Sequence, residues 1–389
     1  MIEKIIKEIS ELKDGYCLWV GAGIDIYLSS ISDLKLPTWE KLISNLEAMV
    51  EKETGKDYSV NKSYKYFERF QIIQNRLSID TYQSYIYNEI FLKLSASIIK
   101  AEEELNKTGE LFPKIINNIA KLSHLANPIV NFNIEYLSSI ALALPGGEYA
   151  IKVFGVPTPD SLYPFSFIAN YTRDNRTFKR QIFHPHGTIE SSGKCVLSKS
   201  EYEALNGTLA LTLATHSAFA SDLVIVGMSL EDDYLKEQIS KFRNQIRNIY
   251  WFTDIDISSD PDLEKWINMN GVILINIPNK NWNLFWDLID KHFNGPDTKS
   301  IIVTWANLVL QSLQCFENWE EILKKYNYDD TKIVKSIKEA KPNNELIELY
   351  RESQIRGILS ASNRKINFDK NRLSDILKNM KKRLEPNLI

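Results

Sequence analysis

The sequence predicts a doubly wound α/β fold, an open parallel sheet with helices on both faces. Two observations predict it. Apolar runs of five or six residues recur between Tyr16 and Ile277, and helical patterns of ten or more residues alternate with them. Strands buried on both faces read as unbroken apolar runs, and parallel neighbours need a helical crossover between them.

The elements follow in order. Ile2, Ile5, Ile6, Ile9 and Leu12 fall at helical spacing, so residues 2–13 form an amphipathic helix that Asp14-Gly15 ends. Tyr16–Val20 is a buried strand that runs straight into Gly21-Ala22-Gly23. Thr38 caps a helix with Trp39, Leu42, Ile43, Leu46, Met49 and Val50 on one side. The pattern stays helical over 64–125, so an inserted helical lobe covers about 38–125. Pro128 opens a second strand, Ile129–Asn133. Further strand candidates are Ala150–Phe154, Gln181–His186, Leu223–Met228, Ile249–Thr253 and Val272–Ile277, with helices at 200–218, 231–245, 260–270 and 281–293. The expectation is a Rossmann-like sheet of about six strands. Asn294-Gly295-Pro296 marks a boundary, which makes 1–295 one domain. Residues 297–389 read as an all-helical C-terminal domain, with patterns at 299–325, 331–340, 344–360 and 370–384. Ile302, Trp305, Ala306, Val309 and Leu313 give its first helix an apolar face, for self-association or for its own core. Self-association or partner contact is the expectation.

Composition excludes several classes. The chain has 389 residues, 44% hydrophobic and 25% charged, with a net charge of -3. That balance is ordinary for a globular protein and asks for neither nucleic acid nor an anionic membrane. The sequence lacks an apolar run long enough for a transmembrane helix and a signal-peptide core at its N-terminus, so a cytoplasmic location is expected. Cys17, Cys195 and Cys315 stand far apart, and they make neither a disulfide framework nor a CxxC pair. No metal site is expected.

Chemistry concentrates at strand ends, where open parallel sheets bind ligands. Gly21-Ala22-Gly23 follows the first strand, and such a turn lets the backbone approach a pyrophosphate. A tight strand–helix turn explains the same residues, and the full GxGxxG pattern is missing because Tyr27 stands near the third glycine's place. Asn131-Phe132-Asn133-Ile134-Glu135 brings two amides and a carboxylate to a strand end, suited to holding a ribose or orienting water. Asn133 is equally a helix N-cap. His184-Pro185-His186-Gly187 ends another strand. His184 is read as satisfying loop carbonyls, and His186 as functional, since histidine titrates near neutral pH. Gly227-Met228-Ser229 offers a close approach and a hydroxyl, or a plain turn. Asp232 and Asp233 complement a helix dipole.

In this order these segments resemble the sirtuin family over about residues 10–290. Gly21-Ala22-Gly23-Ile24 is similar to the family's Gly-Ala-Gly-Ile-Ser start. Asn131–Glu135 is similar to its Thr-Gln-Asn-Ile-Asp segment, His186-Gly187 to its His-Gly, and Gly227-Met228-Ser229-Leu230 to its Gly-Thr-Ser turn. The resemblance implies that the 1–295 domain is an NAD-binding catalytic domain with Asn133 and His186 as catalytic residues. It further implies contacts to NAD from Gly21, Ala22, Gly23, Asp25, Asn131, Glu135, Gly227 and Ser229. Asp25 stands where the family usually has Ser, and Glu135 replaces its usual Asp. The zinc module of the deacetylases is absent, since three lone cysteines cannot supply four thiolates. Leu36-Pro37-Thr38-Trp39, the stretch from His186 to Tyr202, and Gly227–Asp232 resemble the zinc-less bacterial sirtuin-like proteins of phage-defence systems. That branch hydrolyses NAD+ to nicotinamide and ADP-ribose, which starves an infected cell. Length and layout also resemble the partner of HerA-type ATPases in two-gene defence systems, which implies a homo-oligomer with such an ATPase as partner.

The chemistry so implied breaks the N-glycosidic bond to nicotinamide, already a cationic leaving group. Asn133 is suited to orient water and His186 to accept a proton from water or a ribose hydroxyl. A protein deacylase or ADP-ribosyltransferase, and a scaffold that senses NAD or ADP-ribose without chemistry, stay open as alternatives. An ordinary dehydrogenase is disfavoured by the missing GxGxxG.

Overall fold

The computed structural model describes residues 2–29, 38–86, 111–134, 138–139, 142, 149–153, 165–168, 180–187, 195–205, 216, 221–230 and 233–294. Glu135, Cys315 and the expected C-terminal domain at 297–389 lie outside the described residues.

The strands are β1 (Tyr16–Val20), β2 (Ala126–Asn131), β3 (Tyr149–Val153), β4 (Phe165–Ile168), β5 (Arg180–His184), β6 (Asp222–Val226), β7 (Ile249–Thr253) and β8 (Val272–Asn276). They form one sheet of eight strands in the order β4-β3-β5-β2-β1-β6-β7-β8. Every pairing is parallel except β3 with β4. The fold class is therefore the Rossmann-like α/β class, with eight strands against the about six expected; seven of them coincide with the apolar runs and the eighth is β4. Phe165–Ile168 is a short antiparallel edge strand, and four residues paired to a distant segment leave no periodic signature. β1, β6 and β7 are buried at every position, as strands covered on both faces must be. β8, at the opposite edge, is only partly buried, with Ile273 exposed.

Helices α1 (Ile2–Ser10), α2 (Ala22–Leu28), α3 (Trp39–Thr54), α4 (Tyr66–Gln74), α5 (Ile79–Ile86), α6 (Leu111–Ser123), α7 (Lys199–Leu205), α8 (Asp233–Lys241), α9 (Pro261–Asn270) and α10 (Trp282–His292) surround the sheet. α1 ends at Ser10, short of the Leu12 expected in it. Thr38 caps α3, accepting the Lys41 N–H at 3.3 Å, and Gly55 closes it in the left-handed region. Leu42, Ile43, Leu46 and Val50 are its buried stripe. α3 and α4 are joined by Arg69, 2% exposed, whose guanidinium donates to both carboxylate oxygens of Glu40 at 2.6 and 3.2 Å. That bidentate pair fixes the two helices against each other, and Trp39 meets Phe70 edge-on beside it.

One face of the sheet packs Trp19, Ile225 and Trp251 against Leu235, Ile239, Leu263 and Ile267 of α8 and α9. Elsewhere in the core, α10 brings Phe285 against Phe252 and Trp286 onto Tyr27 of α2, whose rings stack at 4.1 Å. The Tyr27 hydroxyl accepts from the Asn118 amide of α6 at 3.0 Å, so one aromatic stack ties α2, α6 and α10 together. Trp286 is 1% exposed. Replacing it with Ala removes this stack and leaves a cavity, and the urea midpoint should fall by an amount equivalent to about 3–5 kcal/mol. A loss below about 1 kcal/mol would show that α10 repacks freely.

Candidate active site

β1 and β6 lie side by side, in register from Tyr16 with Asp222 to Val20 with Val226. The chain passes from β1 to β2 on one side and from β6 to β7 on the other. This is the topological switch point, where diverging loops leave a crevice beyond the strand ends. The Gly21 N–H donates to the Val226 carbonyl at 3.1 Å and the Gly23 N–H to the Gly227 carbonyl at 3.0 Å. A Cβ on Gly23 would lie 2.5 Å from the Gly227 Cα, and Gly227 itself has φ +67°. Both positions therefore need glycine for their mutual approach.

A cavity of ≈ 430 Å³ opens over the joint. Gly21, Ala22, Gly23, Gly227 and Ser229 line it at the switch point. Phe132 and Asn133 follow β2, and His186 follows β5. Thr253 and Asp254 end β7 on the far side, beside Trp282 of α10. The helical lobe adds Trp39, Tyr66, Phe67 and Phe70. Among the described lining residues Asp254 is the one carboxylate, and none is Lys or Arg. Its Oδ2 accepts the Trp282 indole N–H at 3.1 Å.

Asn133 is 2% exposed, and its side-chain amide donates to the Gly21 carbonyl at 3.1 Å. It therefore spans from β2 to the β1 turn. The segment from Glu135 that it would cap lies outside the described residues; its own N–H is held by the Asn131 side chain at 3.0 Å. Asn131 is fully buried behind the cavity wall, where its amide donates to Ser138 and Ser139 at 2.8 and 2.9 Å. Asp25 sits in the first turn of α2, also outside the lining. Neither Asn131 nor Asp25 is among the described residues that line the cavity; the Asn131 side chain is held by Ser138 and Ser139. His184 meets the carbonyl of Asn133, the loop-satisfying role read from sequence.

His186 is 7% exposed and lies edge-on to Phe132 at 5.3 Å and to Tyr202 at 4.9 Å. Its carbonyl accepts the Val196 N–H at 2.9 Å, which brings the 195–202 segment over the ring. Burial pushes its pKa down to about 4, against a main-chain hydrogen bond to Phe132 that pulls upward. His186 is therefore neutral at pH 7, with one ring nitrogen bare to accept a hydrogen bond. Its conjugate acid is too strong to hold a proton there, which narrows the base expected from sequence to an acceptor that orients a hydroxyl or water.

The sequence reading missed Tyr202 as a wall of this site, Asp254 and Trp282. It also missed Leu230, a cavity-lining residue held at φ 52° just after the Gly227 turn. Asp254 follows a strand end like the other motifs, and that position was the available signal.

Residues 128–275 match the SIR2-like domain family. The match takes in Asn131, Asn133, His184, His186, Gly227, Ser229 and Asp254, and begins after the Gly21–Gly23 turn. A search of the curated proteins finds no match. A SIR2-like domain fits NAD-related chemistry, and the switch-point cavity is where a nucleotide belongs in such a sheet.

The two buried histidines set a pH dependence. Burial lowers His184 to about 3 and His186 to about 4, both below the ordinary 6.5 of the unfolded chain. Above pH 6.5 neither state binds the proton, and below it the unfolded chain binds first. Stability is then full above about pH 6.5 and falls as pH drops toward 4, by up to about 1.4 kcal/mol per pH unit for each histidine. Urea midpoints at pH 7, 6 and 5 should decline. A flat series would mean that neither ring is buried in solution.

Proposed function

We propose that this protein is an NAD+ glycohydrolase that releases nicotinamide and ADP-ribose. The observation that carries the reading is the convergence of Asn133 and His186 on one cavity with the Gly23–Gly227 joint, within a chain matching a SIR2-like domain. The bond from the nicotinamide nitrogen to the ribose C1′ breaks, and its electron pair leaves with neutral nicotinamide. Water attacks C1′, and its proton passes to solvent. Asn133 positions that water. His186, neutral, accepts from a ribose hydroxyl and so steadies the oxocarbenium-like sugar. The aromatic wall keeps bulk water from the reacting carbon.

The far end of the cavity bears on the substrate. Four strand spacings separate β5 from β7 in the sheet order, about 19 Å at the usual distance between neighbours. With the reacting sugar near His186, the second ribose of an extended dinucleotide reaches Asp254. A carboxylate suits ribose hydroxyls and repels a phosphate ester on one of them. The substrate is therefore NAD+ in preference to NADP+.

The resemblances of sequence support a place in anti-phage defence, with NAD+ loss as the toxic outcome and a HerA-type ATPase as partner. The region beyond residue 296 would carry self-association and partner contact, and the resting enzyme would be restrained until assembled.

The purified protein, with and without a candidate ATPase, should convert NAD+ to equal amounts of nicotinamide and ADP-ribose. Asn133→Ala and His186→Ala should stay folded and lose that turnover. A fully active Asn133→Ala variant would rule the site out, and binding without release would favour a deacylase or a sensor. In the same assay NADP+ should be cleaved at least about tenfold less efficiently, a difference of about 1.4 kcal/mol. Asp254→Asn should narrow that gap, and equal use of both dinucleotides by the unaltered protein would remove Asp254 from specificity.

A further inference from the structure

We infer that His184 and Ser139 are positioning residues, which hold Asn133 in its working geometry through a closed ring of buried hydrogen bonds. The inference rests on the glycohydrolase reading above. Four bonds make the ring. The Asn133 N–H donates to Asn131 Oδ1 at 3.0 Å. The Asn131 amide donates to Ser139 Oγ at 2.9 Å. Ser139 Oγ is hydrogen-bonded to His184 Nε2. His184 Nδ1 closes the circuit on the Asn133 carbonyl at 3.2 Å.

Donor and acceptor roles follow from the chemistry. A carbonyl only accepts, so His184 carries its proton on Nδ1, and its bare Nε2 accepts a hydrogen bond from the Ser139 hydroxyl. The Asn133 N–H needs an oxygen, which fixes the Asn131 amide with its NH₂ toward the serines. No donor meets a donor anywhere in the circuit. A protonated His184 would donate from both nitrogens, and the Ser139 hydroxyl would then accept from both His184 and Asn131 and turn its own hydrogen elsewhere. Burial holds the ring neutral, because His184, Ser139 and Asn131 are each 0% exposed.

The ring grips Asn133 at its N–H and at its carbonyl, one on each side of the side chain that lines the cavity. The third tie, from that side chain to the Gly21 carbonyl, runs to the neighbouring strand. An amide that must place one water against a sugar carbon works within about half an ångström, and a 1 Å error costs on the order of 100-fold in rate. His184 and Ser139 are not among the described residues that line the cavity, so they act through their hold on Asn133. Ser138 supplies an internal control. It takes the second bond from the Asn131 amide at 2.8 Å, but the circuit closes through Ser139.

The test measures NAD+ turnover and folded fraction for the full chain and four variants: Ser139→Ala, His184→Leu, His184→Asn and Ser138→Ala. Ser139→Ala and His184→Leu should lower kcat on the order of 10- to 100-fold per folded molecule, with KM changed less than about threefold. His184→Asn keeps a donor near the Asn133 carbonyl and should recover part of the loss. Ser138→Ala should keep the parent kcat. Folded Ser139→Ala and His184→Leu proteins with parent kcat would overturn the inference while leaving the glycohydrolase reading intact. Failure of Ser139→Ala to fold would make the ring a fold-holding device and overturn it as well. If the unaltered protein releases no nicotinamide, the glycohydrolase reading fails first and the inference falls with it.

Discussion

Gly23 and Gly227 touch backbone to backbone, and the geometry of the whole site follows from that contact. A side chain on either would collide with the other's Cα at about the length of two bonds, 2.5 or 2.6 Å. Because they are bare, the turn after β1 hydrogen-bonds directly to the turn after β6. The ladder between those strands is thereby extended past their last paired residues. The Gly21 carbonyl is fixed as a result, and Asn133 is bonded to that carbonyl. A rigid joint at the switch point thus sets the position of a side chain that comes from β2. The glycines are structural in the strict sense, yet the site cannot form without them.

Two kinds of material hold the cavity around this joint. On the β2 and β5 side it is a buried polar circuit in which each donor has an acceptor, which is the condition for polar groups to specify one arrangement in a low-dielectric interior. On the side of the helical lobe it is aromatic: Phe67 on Tyr202, Tyr202 on His186, His186 on Phe132, Phe132 on Trp19. That chain of ring contacts runs from α4 to the central strand. It also explains why His186 is buried, and burial is what lowers its pKa. The aromatic packing and the chemistry at His186 are one fact seen twice.

Much of this was legible in the sequence, for physical reasons that also mark where legibility ends. β1, β6 and β7 are buried on both faces, and burial writes itself as unbroken apolar runs. β4 is short and paired at an edge, so nothing in Phe165–Ile168 distinguishes it from loop. β2 stops at Asn131, although the apolar pattern runs on through Phe132, whose N–H still reaches the Val20 carbonyl of β1 at 2.9 Å and whose ring meets Trp19 and His186. Strand ends marked by Gly, Asn and His gave away the cavity's location. Whether a polar strand-end residue faces the cavity or the interior depends on contacts remote in sequence. Asn131 and Asn133, two positions apart and alike in chemistry, divide on that point. Asp254 carried no motif, since one carboxylate after one strand is unremarkable until the sheet order sets it opposite His186.

The charge of the cavity bears on how such a reaction would turn over. Among the described lining residues there is one carboxylate and no Lys or Arg to neutralise phosphate. NAD+ carries a positive nicotinamide ring that partly offsets its pyrophosphate, and the aromatic wall beside His186 can favour a cationic ring through its π faces. Once the glycosidic bond breaks, nicotinamide leaves neutral and the ADP-ribose left behind has lost its positive charge. The product is then more anionic than the substrate, and the one charged side chain among the described lining residues is the Asp254 carboxylate. The cavity's hold weakens at the step where release is needed.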